Sequence, residues 1–428
     1  MRVTGQRRAD RRLILVLCLI TFIANAGNQP APSLYPAVAH DFGISTALVG
    51  QLSTVGNLSG IILTLILAPL SDAFGRKRLI TVGILLTIVA GIAAALSPSF
   101  GVLLLVRVIG GASWGGIMPS VYSLAAEKFS GTMRTIAIGW ITSTLSLGGI
   151  ITNVLFTQIA QFTSWRGSVL VYVVWATVGV FALPRLLPTD PALARLPRGM
   201  LRSLFGSGLI LPFRHRPTRA LITSNVARTL HWSAMNTYIA LLFTDVYGVN
   251  IATIGYLSLG TSVGYLAGVN LASRLTPRFG PQRINVWSNV LGFPILVLAT
   301  GLLAPLPVML GFMMCYHACM GAGYTTQQTL LLAVTPAGKG ATGGVNSATV
   351  QAGGVFASVV GGVIIGTLGY RWLGPLLGWS GLLAAFLVWR AVAVNAARDI
   401  EIGGEGPLTS IEAKPGMATE VATPVVRK

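Results

Sequence analysis

Long apolar runs alternate with short polar or basic stretches along most of this chain. Each run approaches the roughly 20 residues that a helix needs to cross a hydrocarbon layer. Twelve can be drawn, with approximate limits 13–38, 46–70, 79–97, 100–124, 135–161, 166–187, 218–243, 250–275, 284–304, 306–333, 341–368 and 371–395. Within them apolar residues are continuous rather than alternating, which argues against the strands of a β-barrel. A lone strand would leave its backbone polar groups unpaired in lipid, so all twelve are read as helices. The pattern predicts an all-α integral membrane protein with twelve transmembrane helices.

A fixed spacing of 205 residues relates the two halves. Leu70, Phe74-Gly75 and Arg78 return as Leu275, Phe279-Gly280 and Arg283. Phe42-Gly43-Ile44 returns as Tyr247-Gly248-Val249, Gly50 as Gly255, Leu52-Ser53 as Leu257-Ser258, and Arg166 as Arg371. One offset across such distant points implies two copies of a six-helix unit. The expected division is an N-terminal bundle over 1–187, a cytoplasmic linker over 188–217, a second bundle over 218–398 and a tail over 399–428. The linker is rich in Pro and Arg, and its segment 201–211 reads as an interfacial helix on the anionic inner leaflet. The tail, rich in Gly, Glu, Thr and Pro, is expected to be disordered. Doubled membrane units of this kind place their working site at the seam between the halves.

Of 428 residues 53% are hydrophobic and 10% charged, against roughly 25% charged in a soluble domain. Lipid is therefore the main solvent. A net charge of +19 would suit a nucleic-acid partner, but the distribution of that charge rejects one. With the N-terminus in the cytoplasm, 26 of the 30 Lys and Arg residues fall on the cytoplasmic side, all but Arg107, Arg166, Arg228 and Arg371. This is the positive-inside rule, and it predicts that both termini are cytoplasmic; the expected location is the plasma (cytoplasmic) membrane, crossed many times. Residues 1–40 do not read as a removable signal peptide, because the apolar run is too long and no small-residue cleavage site ends it. The paired arginines ahead of it flank a first span rather than form a twin-arginine signal.

The stretch Leu70-Ser71-Asp72-Ala73-Phe74-Gly75-Arg76-Lys77-Arg78 resembles the signature loop of the major facilitator superfamily, roughly G-x-L-x-D-R-x-G-R-R/K. Leu70, Asp72, Gly75, Arg76 and Lys77 match; Ala68 and Ala73 depart from it. Arg107-Val108-Ile109-Gly110-Gly111 resembles the family's second signature, an Arg followed by a Gly-rich helix. The resemblance covers residues 10–395 and implies two pseudo-symmetric bundles rocking about a central cavity. It further implies that Asp72, with Gly75, Arg76 and Lys77, forms a latch holding one access state, and that Arg107 serves proton transfer. The second copy carries Pro277 at the Asp position, so such a latch is one-sided. Gly139, Ser143, Gly148 and Gly149 match the antiporter signature of helix 5 incompletely, with Thr144-Leu145 replacing its Gly-Pro pair. The marks of aromatic-acid symporters and sugar porters are absent, and the chain is most similar to the twelve-span bacterial drug and metabolite efflux branch.

Polar residues inside spans are costly and point to function. Helix 1 carries Asn25, Asn28 and Gln29 on one face, ahead of Pro30 and Pro32. Helix 7, its repeat partner, carries Asn225, Arg228, His231 and Asn236. Shifting Asn25 and Asn28 by the repeat offset lands beside His231, so Asn25, Asn28, Gln29, Arg228, His231 and Asn236 are expected to line a substrate cavity. The plainer alternative is interhelical hydrogen bonding, worth about 0.6–2 kcal/mol each. No Asp or Glu lies in mid-span. His231 and His317 are the mid-span groups that titrate near neutrality, and Arg107, His317 and Asp41 are the candidates for proton coupling or buried charge. Arg107 and Arg228 make the interior positive, which suits an anionic or zwitterionic solute. The alternative for Arg107 is snorkelling to an interface roughly 10 Å away.

Three local patterns fail on geometry. On a helix Cys315 and Cys319 share a face while His317 points roughly 200° away, so no metal is expected. Gly111-Ala112-Ser113-Trp114-Gly115 fits a nucleophile elbow in letters but lies in mid-helix. Gly338-Lys339-Gly340 lacks the spacing of a phosphate-binding loop. No catalytic residue and no cofactor is expected, and the partners are a small-molecule solute and the bilayer, with the chain a monomer. On helix 11, Gly353, Ala357 and Gly361 form one row of small residues and Gly354, Ser358, Gly362 and Gly366 another. Such rows suit helices that slide, so helices 5 and 11 are read as a moving seam. The expected activity is proton-coupled export of a small organic solute by alternating access. Uptake of an organic anion, or a scaffold or sensor that no longer transports, are the alternatives.

Overall fold

The computed structural model describes residues 2–26, 30–129, 131–187, 215–334 and 339–402. Among them the apolar runs are helices and no strand occurs. Twelve long helices are labelled α1 (Arg2–Ala26), α2 (Gln51–Phe74), α3 (Arg76–Ala95), α4 (Phe100–Lys128), α5 (Gly131–Phe162), α6 (Trp165–Leu186), α7 (Arg216–Tyr247), α8 (Ile251–Phe279), α9 (Pro281–Leu302), α10 (Leu306–Val334), α11 (Lys339–Leu368) and α12 (Trp379–Ile402). The first span is interrupted. Ala31, between the prolines, is extended, and the chain continues as a 3-10 turn, Pro32–Leu34, and a helix, Tyr35–Phe42. Proline lacks a backbone donor and biases its predecessor away from helix, which breaks the element there. Most of the linker (188–214) and of the tail (403–428) lies outside the described residues, while α12 runs to Ile402, beyond the expected limit at 398.

The helix pairings reproduce the repeat. In the first half α1 packs on α4, α5 and α6, α2 on α4, and α3 on α4 and α6. In the second half α7 packs on α10, α11 and α12, α8 on α10, and α9 on α10 and α12. Each pairing is its counterpart moved by six helices. Turn conformations repeat as well. Gly43 and Gly248 end helices in the left-handed region at φ 61° and 63°, where a side chain is disfavoured. Ser45 and Asn250 then cap the next helix, their side-chain oxygens accepting from the backbone N–H of Leu48 and Thr253.

The signature turn has a matching pair. Gly75 sits at φ 87°, ψ 131° and Gly280 at φ 78°, ψ 152°, a region where other residues are strained. Arg76 is paired with Glu127 at the end of α4, and Lys128 lies 3.2 Å from the same carboxylate. Lys77 Nζ donates to the Leu187 carbonyl at 3.3 Å. These basic side chains thus tie the start of α3 to the ends of α4 and α6. Asp72 stands in the last turn of α2.

Two seams join the halves, α2 against α11 and α5 against α8, and the six-helix shift exchanges one for the other. At the first, Thr54 Oγ1 and Ser358 Oγ share a hydrogen bond of 2.6 Å, and beside it Thr237 Oγ1 of α7 donates to Ser53 Oγ at 3.4 Å. The Tyr238 hydroxyl donates to the Ser358 carbonyl at 2.6 Å while resting directly on Gly50. At the second, Gln158 Nε2 donates to the Ala252 carbonyl at 3.0 Å, and Gly255 rests on Thr157. The two rows on α11 divide the work. Gly354, Gly362 and Gly366 abut Asn57 and Ala47 across the seam, whereas Gly353 and Gly361 abut Thr229 and Tyr238 within the second half. These contacts lie toward the end of the bundle remote from the Gly75 and Gly280 turns. At that rim a cleft of about 440 Å³ is lined by Pro36, His40, Asp41, Trp165, Asn250 and Ile251 among others.

Gly75→Ala and Gly280→Ala should each destabilise the folded protein by about 1–3 kcal/mol, read as a lowered Tm of the detergent-purified protein. Gly50→Val and Gly255→Val should each force a seam open. Spin labels at His40→Cys and Asn250→Cys, with Cys18, Cys315 and Cys319 replaced, should then report a longer distance across the rim.

Candidate substrate site

The two in-span arginines have different surroundings. Arg107, on α4, is 4% exposed and faces inward. Its Nε donates to the Leu52 carbonyl at 3.1 Å, and its guanidinium lies beside the Tyr35 hydroxyl. Tyr35 shares a 2.8 Å bond with Ser53, which accepts from Thr237 of the second half. A polar chain therefore runs from α4 through the interrupted first span and α2 to α7. Snorkelling toward lipid is not the arrangement found.

Arg228, on α7, is 1% exposed. Its Nη2 donates to Asn225 Oδ1 at 2.9 Å, and Asn225 Nδ2 in turn donates to Thr349 Oγ1 of α11 at 2.9 Å. Among the described residues its Nε and Nη1 have no hydrogen-bond partner. Arg228 Cζ lies 5.4 Å from the ring centroid of Tyr324 on α10. Tyr265 of α8 stacks on Trp232 of α7, with ring centroids 6.2 Å apart. His231, one turn along α7, shares a 2.7 Å bond between Nδ1 and the Tyr316 hydroxyl. Its Nε2 is buried without a partner among the described residues and faces Gly381 of α12. Beneath lies a polar thread: Asn285 Nδ2 donates to the Gly323 carbonyl at 2.9 Å and to Gln327 Oε1 at 3.2 Å, and Gln327 Nε2 donates to the Leu221 carbonyl at 2.8 Å.

The other described candidates make their hydrogen bonds outside this group, although the His317 ring lies 5.5 Å from that of Tyr316. Asn25 Nδ2 donates to the Leu145 carbonyl of α5 at 2.8 Å, beside Gly148 and Gly149, and so pins α1 to α5. Asn28 and Gln29 lie outside the described residues. Asn236 Nδ2 donates back to the Trp232 carbonyl on its own helix at 2.9 Å. His317 Nδ1 bonds the Met313 carbonyl one turn earlier at 2.8 Å. Asp41 is at the far rim, where its Oδ2 accepts from Arg166 Nη1 at 2.7 Å and from Trp165 Nε1 at 3.0 Å. That Arg166 guanidinium lies 4.7 Å from the Trp165 ring centroid and also donates to the Ser97 carbonyl.

Sequence reasoning brought Arg228, Asn225 and His231 forward but passed over Tyr265, Tyr316, Tyr324 and Trp232. A signal was present. Tyr and Trp in membrane proteins concentrate at the interfaces, whereas Tyr265, Tyr316 and Tyr324 stand well inside their helices. Asn285 and Asn289, four apart on α9, were a second missed signal.

Comparison with known proteins agrees with this architecture. A family model for the Major Facilitator Superfamily matches residues 17–287 and 221–415. A protein of Streptomyces coelicolor described as a "Probable transporter" is 29% identical over 413 residues, covering 92% of this chain and 90% of its own length. The quinolone resistance protein NorA of Staphylococcus aureus is 30% identical over 138 residues, which is 32% of this chain and 36% of that protein. Among solved structures, the human organic anion transporter MFSD10 superposes with a TM-score of 0.65 at 17% identity, covering 89% of this chain and 99% of that one. With its duplicated twelve-helix architecture and the family model matched across both halves, this chain belongs to the major facilitator superfamily and is a multi-pass membrane transporter of a solute, not an enzyme.

Proposed function

We propose that this transporter moves a small organic anion, or a zwitterion held by its anionic end, and that Arg228 is the residue that holds it. The carrying observation is a buried guanidinium inside the second half with Nε and Nη1 unmatched among the described residues. Placing an Arg at the centre of a membrane helix costs about 2.5–3.5 kcal/mol on insertion scales. A bound anion offsets that cost through charge-assisted hydrogen bonds, each worth about 1.5–3 kcal/mol. Asn225 takes one hydrogen of Nη2. The other hydrogen of Nη2 still forms a complete two-pronged edge, with either Nε or Nη1, that matches a carboxylate or sulfonate.

Transport then proceeds by rocking of the two bundles, residues 1–187 and 218–398, about the α2–α11 and α5–α8 seams, with the chain a monomer in the plasma membrane. Charge asymmetry supports cytoplasmic termini, which makes the rim with His40 and Asp41 the outer face. Asp72, Gly75, Arg76 and Lys77 serve as the latch of one access state at the opposite face. Coupling to protons rests on the in-span histidines, His231 and His317, and on the chain from Arg107 through Tyr35 and Ser53 to Thr237, which spans both halves. Export is favoured by the likeness of about a third of the chain to a quinolone resistance protein.

In proteoliposomes, Arg228→Ala should weaken solute binding about ten- to hundredfold and abolish saturable transport, with Arg228→Lys intermediate because an ammonium lacks the fork. Unchanged transport by Arg228→Ala would overturn the site. In inside-out vesicles, accumulation of solute should stop when the pH gradient is collapsed; accumulation indifferent to that gradient rules out proton antiport.

A further inference from the structure

We infer that the solute held at Arg228 has an aromatic body, and that Trp232, Tyr265 and Tyr324 select it. The inference rests on the proposed anion-holding role of Arg228 and adds the chemistry of the rest of the molecule. Trp232 follows Arg228 by one turn on the same face of α7. Its indole stacks on Tyr265 of α8, with ring centroids 6.2 Å apart and planes at 25°. Tyr324 of α10 lies against the guanidinium itself, 5.4 Å from Cζ to the ring centroid.

The backbone explains why the tyrosines meet there. Gly264 and Gly268 of α8 rest on the carbonyls of Met314 and Ala318, and Gly321 of α10 rests on the carbonyl of Tyr265. A Cβ at any of these positions would force α8 and α10 apart and carry the two rings with them. One aromatic side chain thus lies against the cation and two more stack one turn away, from three helices in all, and each remains only partly buried. Trp232 Nε1 is, like Arg228 Nε and Nη1, a buried donor with no partner among the described residues. The group offers unmatched donors at one end and π-faces beside them. A complementary ligand brings acceptors at one end and a flat ring at the other. Ring stacking adds to simple area burial at these separations, and a guanidinium over a ring is itself attractive, so a saturated ring of similar size lacks some of the interaction.

Calorimetric titration of the purified full-length protein with benzenesulfonate and cyclohexanesulfonate tests this, because both carry one permanent charge on a six-membered ring. Benzenesulfonate should bind about two- to tenfold more tightly. Tyr324→Leu and Trp232→Leu should erase the difference while still binding both sulfonates, Tyr265→Phe should keep it, and Arg228→Ala should lose both ligands. Equal affinity of the wild-type protein for the two sulfonates overturns aromatic selection and leaves anion binding standing. Failure to bind either, or binding indifferent to Arg228→Ala, overturns anion binding at this site and the inference with it.

Discussion

Hydrocarbon offers no water, so a polar atom inside a membrane helix bundle either finds a protein partner or stays costly until a ligand supplies one. That constraint sorts the interior of this protein. Arg107 donates to the Leu52 carbonyl and lies beside Tyr35, and none of its nitrogens is among the buried donors left without a partner in the described residues. Arg228 is equally buried and is matched at Nη2, with Nε and Nη1 left over among the described residues. The two arginines have the same chemistry and similar insertion cost. What separates them is the local count of acceptors, and only the second has donors to spare.

Helices in lipid gain little from burying apolar surface against one another, so they associate where small residues allow backbones to touch. Both seams follow this rule, and Gly50 and Gly255 occupy equivalent places in them. The duplication is faithful in turns and pairings, yet it diverges at the rim. Arg166 pairs with Asp41 in the first half, whereas Asp245 in the second accepts from the Tyr370 hydroxyl at 2.7 Å. The neighbouring Arg371, which the offset equates with Arg166, is exposed instead. A contact built on an ion pair within one half is built on a hydroxyl donor within the other.

Much of the fold was legible because its determinants are local. Apolar run lengths marked the helices, Gly75 and Gly280 marked the turns, and the 205-residue offset pointed to a doubled architecture. The candidate site was legible only incompletely. Arg228 and His231 announce themselves as polar residues within a span, but their partners come from α8, α10, α11 and α12, whose rotational settings no periodicity fixes. Asn25 shows the converse. It shares polarity and approximate depth with the α7 cluster, and its amide is nevertheless spent on the Leu145 carbonyl, a contact that depends on how closely α1 approaches Gly148 and Gly149. The tyrosines escaped notice because a single Tyr in an apolar run carries little polar signal, and convergence of three helices is needed before they form a group.

Among the described residues, α7 and α8 are long enough to cross a membrane but are not among the nine helices that are also apolar enough. For α7 this has a physical reason. Its polar side chains are tolerable because protein rather than lipid surrounds it, and most of its residues from Leu221 to Phe243 are buried. The same helix carries Arg228 and, ten residues on, Tyr238, roughly 15 Å away along the axis. Its only proline, Pro217, is in the first turn, so nothing between those two side chains invites a hinge. A ligand biases a conformational equilibrium only through unequal interaction with the two states. On the proposed reading, an anion drawing on Arg228 acts on a stiff element whose other end rests on Gly50 at the seam. Shifting α7 by a fraction of a side chain alters the hold of Tyr238 on the opposite half, and one rigid helix then suffices to connect occupancy of the site with closure of the rim.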